Sequence, residues 1–163
     1  MDQNLASIAV KILTNTSTGE TNSDTDTVTQ EVRTRMRQLP SQLRGSGLTA
    51  TYAFVLAKAE KEGNEPLRSA YAGLADAIAE QAFANGYLPR PQNDPNRHGS
   101  AKGQQDAGRR DFMSALCQAS PAQYSRVSAA VDALAVWLSR LAEAYYEPAA
   151  GAGDDHGEEQ GDR

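Results

Sequence analysis

Arginines are the residues here whose placement carries most chemical meaning. Arg33, Arg37 and Arg44 are spaced by four and seven, so they share a face if one helix runs through all three. Arg35 lies off that line. Arg126 and Arg140 stand fourteen residues apart, which returns both to about the same side of a helix. Lys58 and Lys61 sit one turn apart. Arg90, Arg97, Lys102, Arg109 and Arg110 add charge to a Pro/Gly-rich stretch and its end. A guanidinium is a planar fork that donates two parallel hydrogen bonds to a phosphate. Aromatic residues that would stack bases do not interleave with these cations. Contacts made by this set would go to backbone phosphates and carry no sequence preference. The plainer reading is ordinary surface charge, some of it paired with Glu31, Glu60 or Glu143.

Other chemistries find no convergent groups. Gly45-Ser46-Gly47 lacks the lysine and preceding strand of a phosphate loop and reads as a turn between helices. Asp154, Asp155, His156, Glu158 and Glu159 resemble metal ligands only in composition; in a Gly-rich tail nothing orients them. His98 lies in the Pro/Gly loop without a partner. Glu80, Asp132 and Glu143 are not spaced for shared acid–base work. Cys117 sits in an apolar helical stretch and is expected to be buried. The sequence therefore predicts a binding protein rather than an enzyme, with no catalytic residue, no cofactor and no metal.

The elements that would position the arginines are helices. A first helix covers Gln3–Leu13, with Leu5, Ile8, Ala9 and Ile12 on one face. Residues 14–27, rich in Thr, Ser and Asn, read as an irregular insertion. A second helix runs from about Asp26 to Leu39 or beyond, with Val28, Val32, Met36, Leu39 and Leu43 as its stripe. Pro40 predicts a kink or break, and Gly45 and Gly47 an end. A third covers Leu48 to about Lys61, with Leu48, Tyr52, Val55, Leu56 and Ala59 inward. A fourth follows Gly63, with Pro66 in its first turn. Residues 86–106, with three prolines and several glycines, read as a second irregular insertion. A short helix covers about Arg109–Gln118. The last helix opens on Ser120-Pro121 and carries Val127, Val131, Leu134, Leu138, Leu141 and Tyr145 at alternating steps of four and three. The expected fold is all-α: a single-domain bundle of about five to six helices over residues 1–147, ending in a long C-terminal helix. Residues 148–163 are expected to be a disordered acidic tail.

The chain has 163 residues, 39% of them hydrophobic, and a formal net charge of −5. That acidity is concentrated. The tail holds five acids against Arg163, a net of −4, so the remainder carries 15 basic and 16 acidic side chains. A nearly neutral body can present local basic faces. No apolar run approaches the ~20 residues that span a bilayer. The first residues lack the features of a signal peptide, so a cytoplasmic location is expected.

Two segments resemble a known family. Leu39-Pro40-Ser41-Gln42-Leu43-Arg44-Gly45-Ser46-Gly47-Leu48, continuing through Thr51-Tyr52-Ala53-Phe54-Val55-Leu56-Ala57-Lys58, resembles a signature of the small subunit of the type III-B (Cmr) CRISPR effector complex. Tyr124-Ser125-Arg126, followed by Ala133-Leu134-Ala135-Val136-Trp137-Leu138-Ser139-Arg140-Leu141-Ala142-Glu143-Ala144, is similar to that family's C-terminal helix. The resemblance covers about Leu5 to Tyr146. It departs at the two irregular stretches and the tail. It implies a non-catalytic subunit that stacks with further copies of itself as an inner filament, beside the backbone subunits, and lines the channel holding guide RNA and target RNA. By position, Arg44 and Lys58 match the first motif and Arg140 the second. Arg33, Arg37 and Arg126 are added from helical geometry. The alternative is a helical protein-interaction adaptor without nucleic-acid contact.

Overall fold

Side chains that start helices stand where the chain needs them. The Thr29 hydroxyl accepts from the Val32 N–H at 3.3 Å, and Asn64 Oδ1 from the Leu67 N–H at 2.9 Å. Ser120 and Gln123 form a reciprocal box, at 3.3 and 2.9 Å. Each satisfies first-turn donors that no helical carbonyl can reach. In a computed structural model that describes residues 2–14, 28–61, 63–90 and 101–146, these caps open three of five helices. The five are α1 (Asp2–Thr14), α2 (Gln30–Glu60), α3 (Glu65–Ala84), α4 (Ala101–Cys117) and α5 (Pro121–Ala144). No strand occurs among the described residues, and the fold is the expected all-α bundle.

α2 is the central element, packed on α5, α3 and α4. Its first half buries Val32, Met36, Leu39 and Leu43; its second buries Leu48, Tyr52, Val55 and Ala59. α5 answers with Val127, Val131, Leu134 and Leu138, and α3 with Ala70, Tyr71, Leu74 and Ile78. α1 closes the bundle against α5 and α3 through Leu5, Ala9, Ile12 and Leu13. α4 is docked by Phe112, edge-on to Tyr52 (4.6 Å between ring centres) and to Phe83 (6.2 Å).

Four expectations need correction. The second helix starts at Gln30, not Asp26, because Thr29 caps it. The kink or break expected at Pro40 does not occur; the interruption stands at Gly47, where an end was expected. Pro40 is buried inside a continuous helix, since its ring fixes φ near the helical value and costs one hydrogen bond. Gly47, at φ 76 and ψ 167, is the residue with non-helical dihedrals. That region is open essentially to glycine alone. The helix expected from Arg109 begins at Ala101, so residues 101–106, assigned to the second insertion, are helical. Ala, Lys and Gln there favour a helix enough to offset Gly103. Cys117 is exposed, not buried. Phe112 and Leu116 define the inward side of α4, and the next residue is turned about 100° away from it. Residues 15–27, His98, Arg97 and the 148–163 tail lie outside the described residues.

Candidate nucleic-acid interface

The first half of α2 and the whole of α5 run antiparallel. At one end the Val28 N–H donates to the Tyr145 carbonyl at 3.0 Å. At the other, a Cβ on Gly47 would stand 3.5 Å from the Tyr124 hydroxyl. Between these ends two charged pairs cross. Arg33 meets Glu143 and Arg44 meets Asp132. Each pair of partners lies eleven residues apart along its own helix. Eleven residues are about three turns, so both pairs fall on the same seam.

The pairs differ in how much of the arginine they use. Arg33 donates through Nε (2.9 Å) and Nη2 (2.5 Å) to the two Glu143 oxygens, and its guanidinium lies 4.4 Å from the Tyr146 ring centre. Its side chain is 23% exposed. The hydrogen bonds from Arg33 hold the Glu143 carboxyl below its usual range. Arg37 touches the same carboxylate by one Nη1 contact of 3.5 Å and is 56% exposed. Arg44 approaches Asp132 through Nε at 3.6 Å and is 63% exposed. At that distance the contact is Coulombic rather than a hydrogen bond, and the buried Asp132 Oδ1 accepts no hydrogen bond among the described residues. Arg37 and Arg44 therefore retain most of their donors.

The other three cations stand apart. Lys58 lies beyond the Gly47 kink, its Nζ 5.3 Å from the Phe54 ring centre. Arg126 and Arg140 are exposed on α5 and, among the described residues, reach no carboxylate. The structure thus gathers Arg33, Arg37 and Arg44 on the α2–α5 seam, with acids interleaved, and leaves Lys58 and the α5 pair on separate ground.

Three described cations around the second irregular stretch, Arg90, Arg109 and Arg110, have structural partners. Arg109 is 13% exposed and donates through Nε and Nη2 to the two Asp76 oxygens at 2.7 and 2.9 Å, fastening α4 to α3. Arg90 lies 5.5 Å from the Phe83 ring centre, and Arg110 Nε donates to the Asp106 carbonyl at 3.2 Å. Glu31, weighed as a partner for arginine, accepts from the Asn64 side chain instead.

Sequence reasoning missed Tyr124. Hydrogen bonds from the Thr49 hydroxyl and from the backbone N–H groups of Thr49 and Leu48 hold its phenol below the usual tyrosine range. The Tyr124 hydroxyl thus stands, across the interface, beside the start of the helix that resumes after Gly47. The available signal was the polar series Tyr124, Ser128, Asp132 at steps of four, running beside the apolar seam of α5.

Among the described residues, no group of three or more His, Cys, Asp or Glu side chains could hold a metal ion. No described helix is long and apolar enough to cross a membrane. The surface offers separated basic side chains on rigid helices, suited to touching an extended polyanion at several points. A family model described as CRISPR-associated protein (Cas_Cmr5) matches residues 1–145. No curated protein and no solved structure gives a significant match to the chain.

Proposed function

The chain belongs to the Cas_Cmr5 family of CRISPR-associated proteins, the small-subunit family of the type III-B (Cmr) effector, and from that membership we propose that it is a non-catalytic subunit lining the channel for guide and target RNA. It stacks with copies of itself beside the backbone subunits, in the cytoplasm, and contacts phosphates without reading bases. The observation that carries this reading is the state of Arg37 and Arg44. Both are more than half exposed, each is tethered to an acid at only one point, and each keeps donors free for a phosphate. Arg126 and Arg140 supply further exposed guanidinium groups on α5, and Lys58 a point charge past the kink. Arg33 takes a different part. Its fork is filled by Glu143, so it fixes the seam and leaves phosphate to its neighbours.

The interleaved acids favour a second reading, a protein-interaction adaptor whose arginines only fasten α2 to α5. One experiment separates the two. In the assembled effector, Arg37→Ala, Arg44→Ala and Arg140→Ala together are expected to weaken RNA binding. The slope of log K against log salt should shrink by ~0.7 per lost contact for single-stranded RNA. An unchanged affinity and slope would leave the adaptor reading standing.

A further inference from the structure

On the α2–α5 seam, the pair of Arg44 and Asp132 leaves both partners incomplete. Arg44 approaches through Nε alone, at 3.6 Å, and keeps its two Nη groups. That distance is too long for a hydrogen bond. Asp132 Oδ1 is buried and accepts no hydrogen bond among the described residues, and no described donor reaches Oδ2. The Asp132 side chain is nevertheless 41% exposed, so its opening to solvent lies on the Oδ2 side. One turn earlier on the same face of α5, Ser128 Oγ is also buried without a hydrogen-bond partner among the described residues. Glu143 differs, because Arg33 donates to both of its oxygens.

A carboxylate drawn partly out of water without a hydrogen bond costs stability, and folded proteins leave few polar groups in that state. Beside a phosphate-binding arginine the same acid also repels the ligand. Asp132 is a liability on both counts unless the ligand itself brings a donor. The sugar–phosphate backbone of DNA offers only acceptors. RNA adds a donor, the 2′-hydroxyl, on the carbon next to the one that bears the 3′ phosphate. Arg44 and Asp132 present the complementary groups side by side. Buried neighbours hold that spacing: Leu43 on α2, and Val131 and Leu134 on α5.

We infer that Arg44 and Asp132 together recognise one ribonucleotide, Arg44 donating through its Nη groups to the phosphate and Asp132 Oδ2 accepting from the 2′-hydroxyl. The pair then separates RNA from DNA without touching a base. This rests on the phosphate-contact reading above and deepens it, since it gives the interleaved acid a part in binding.

The test is fluorescence anisotropy of the full chain with oligouridine in ribo and 2′-fluoro forms, run as a cycle with Asp132→Ala. Fluorine keeps the sugar shape of RNA and removes the donor. The wild-type chain should bind the ribo form roughly three- to tenfold more tightly, the worth of one net hydrogen bond. Asp132→Ala removes a group that has no hydrogen bond, so the variant is expected to fold, and it should bind the two forms equally. No preference in the wild type, or a preference that survives in Asp132→Ala, overturns the ribose contact. A gain of equal proportion for both forms means that Asp132 acts by charge alone, and overturns it too. Arg44→Ala distinguishes this failure from that of the underlying reading. If it weakens both forms, the phosphate contact stands whatever Asp132 does. If it weakens neither, the phosphate contact at Arg44 falls and the ribose contact falls with it.

Discussion

Glu143 serves two arginines unequally, and that inequality is testable one side chain at a time. Arg33 is bound bidentately and Arg37 by a single long contact. Glu143→Gln removes the charge that holds both, so Arg37 is expected to bind RNA more tightly and with a steeper salt dependence, read by fluorescence anisotropy. Arg33→Ala should leave RNA affinity nearly unchanged while loosening the α2–α5 seam. The Glu143 carboxyl is held below its usual range by Arg33. Its contribution to stability is therefore present above the ordinary carboxylate range near 4.5 and is lost as pH falls through its lowered value. At the alkaline end the controlling residue is Tyr52. Its hydroxyl is buried and donates to the Ala75 carbonyl at 3.3 Å. Burial, the largest cause, pushes its ionisation well above the usual tyrosine range. Unfolded tyrosine ionises near ~10, so stability is full below that pH and falls by ~1.4 kcal/mol per unit above it. Tyr71, also raised by burial, adds to the same loss. Tyr52→Phe should cost ~1 kcal/mol at neutral pH through the lost hydrogen bond and flatten the alkaline fall, measured by urea unfolding between pH 9 and 11.

At the scale of elements, the kink is set by backbone geometry that only glycine tolerates. Gly47→Ala is expected to cost ~1–3 kcal/mol even though the space there admits a Cβ at ordinary contact distance from Tyr124. Urea unfolding monitored by circular dichroism reads it. Pro40, more suspect from sequence, is the milder site: it sits in an unbroken helix. The two positions show where legibility ended. Periodicity identified the apolar faces, because burial repeats at three and four in any helix that packs on one side. Val32, Met36, Leu39 and Leu43 are buried as expected, as are Val127, Val131, Leu134 and Leu138. Boundaries were less legible, since helix ends depend on which neighbour satisfies the orphan donors. Thr29 does so for α2, and the resumption after Gly47 lies against Tyr124, a residue distant in sequence. The candidate site had the same limit. The arginine spacings were visible on one strand of sequence, but the seam exists only when Arg33–Arg44 is laid antiparallel to Asp132–Glu143. The eleven-residue separation common to both becomes a signal once that pairing is assumed.

The whole molecule is held by unequal interfaces, and α4 is the least attached of its three interior-facing neighbours around α2. α2 packs most extensively on α5 and α3, while α4 touches α3 and, less, α2. Two side chains carry much of that docking: Phe112, fully buried between Tyr52 and Phe83, and Arg109, clamped on Asp76. Removing the phenyl ring leaves a cavity where three elements meet, and phenylalanine-to-alanine changes of this kind cost ~3–5 kcal/mol. The loss should be felt locally first, because local opening free energies follow the density of buried contacts. In Phe112→Ala, hydrogen exchange is expected to speed up across residues 103–117 while α2 and α5 keep their protection. Leu138→Ala, on the seam between α2 and α5, should instead lower protection throughout the bundle. The proposed phosphate-contacting arginines all sit on α2 and α5, so Phe112→Ala should also spare RNA affinity at temperatures where the bundle remains folded. Equal loss of protection in every helix of Phe112→Ala would show that α4 is part of the cooperative core, and that the cations on α2 and α5 cannot be held in place without it.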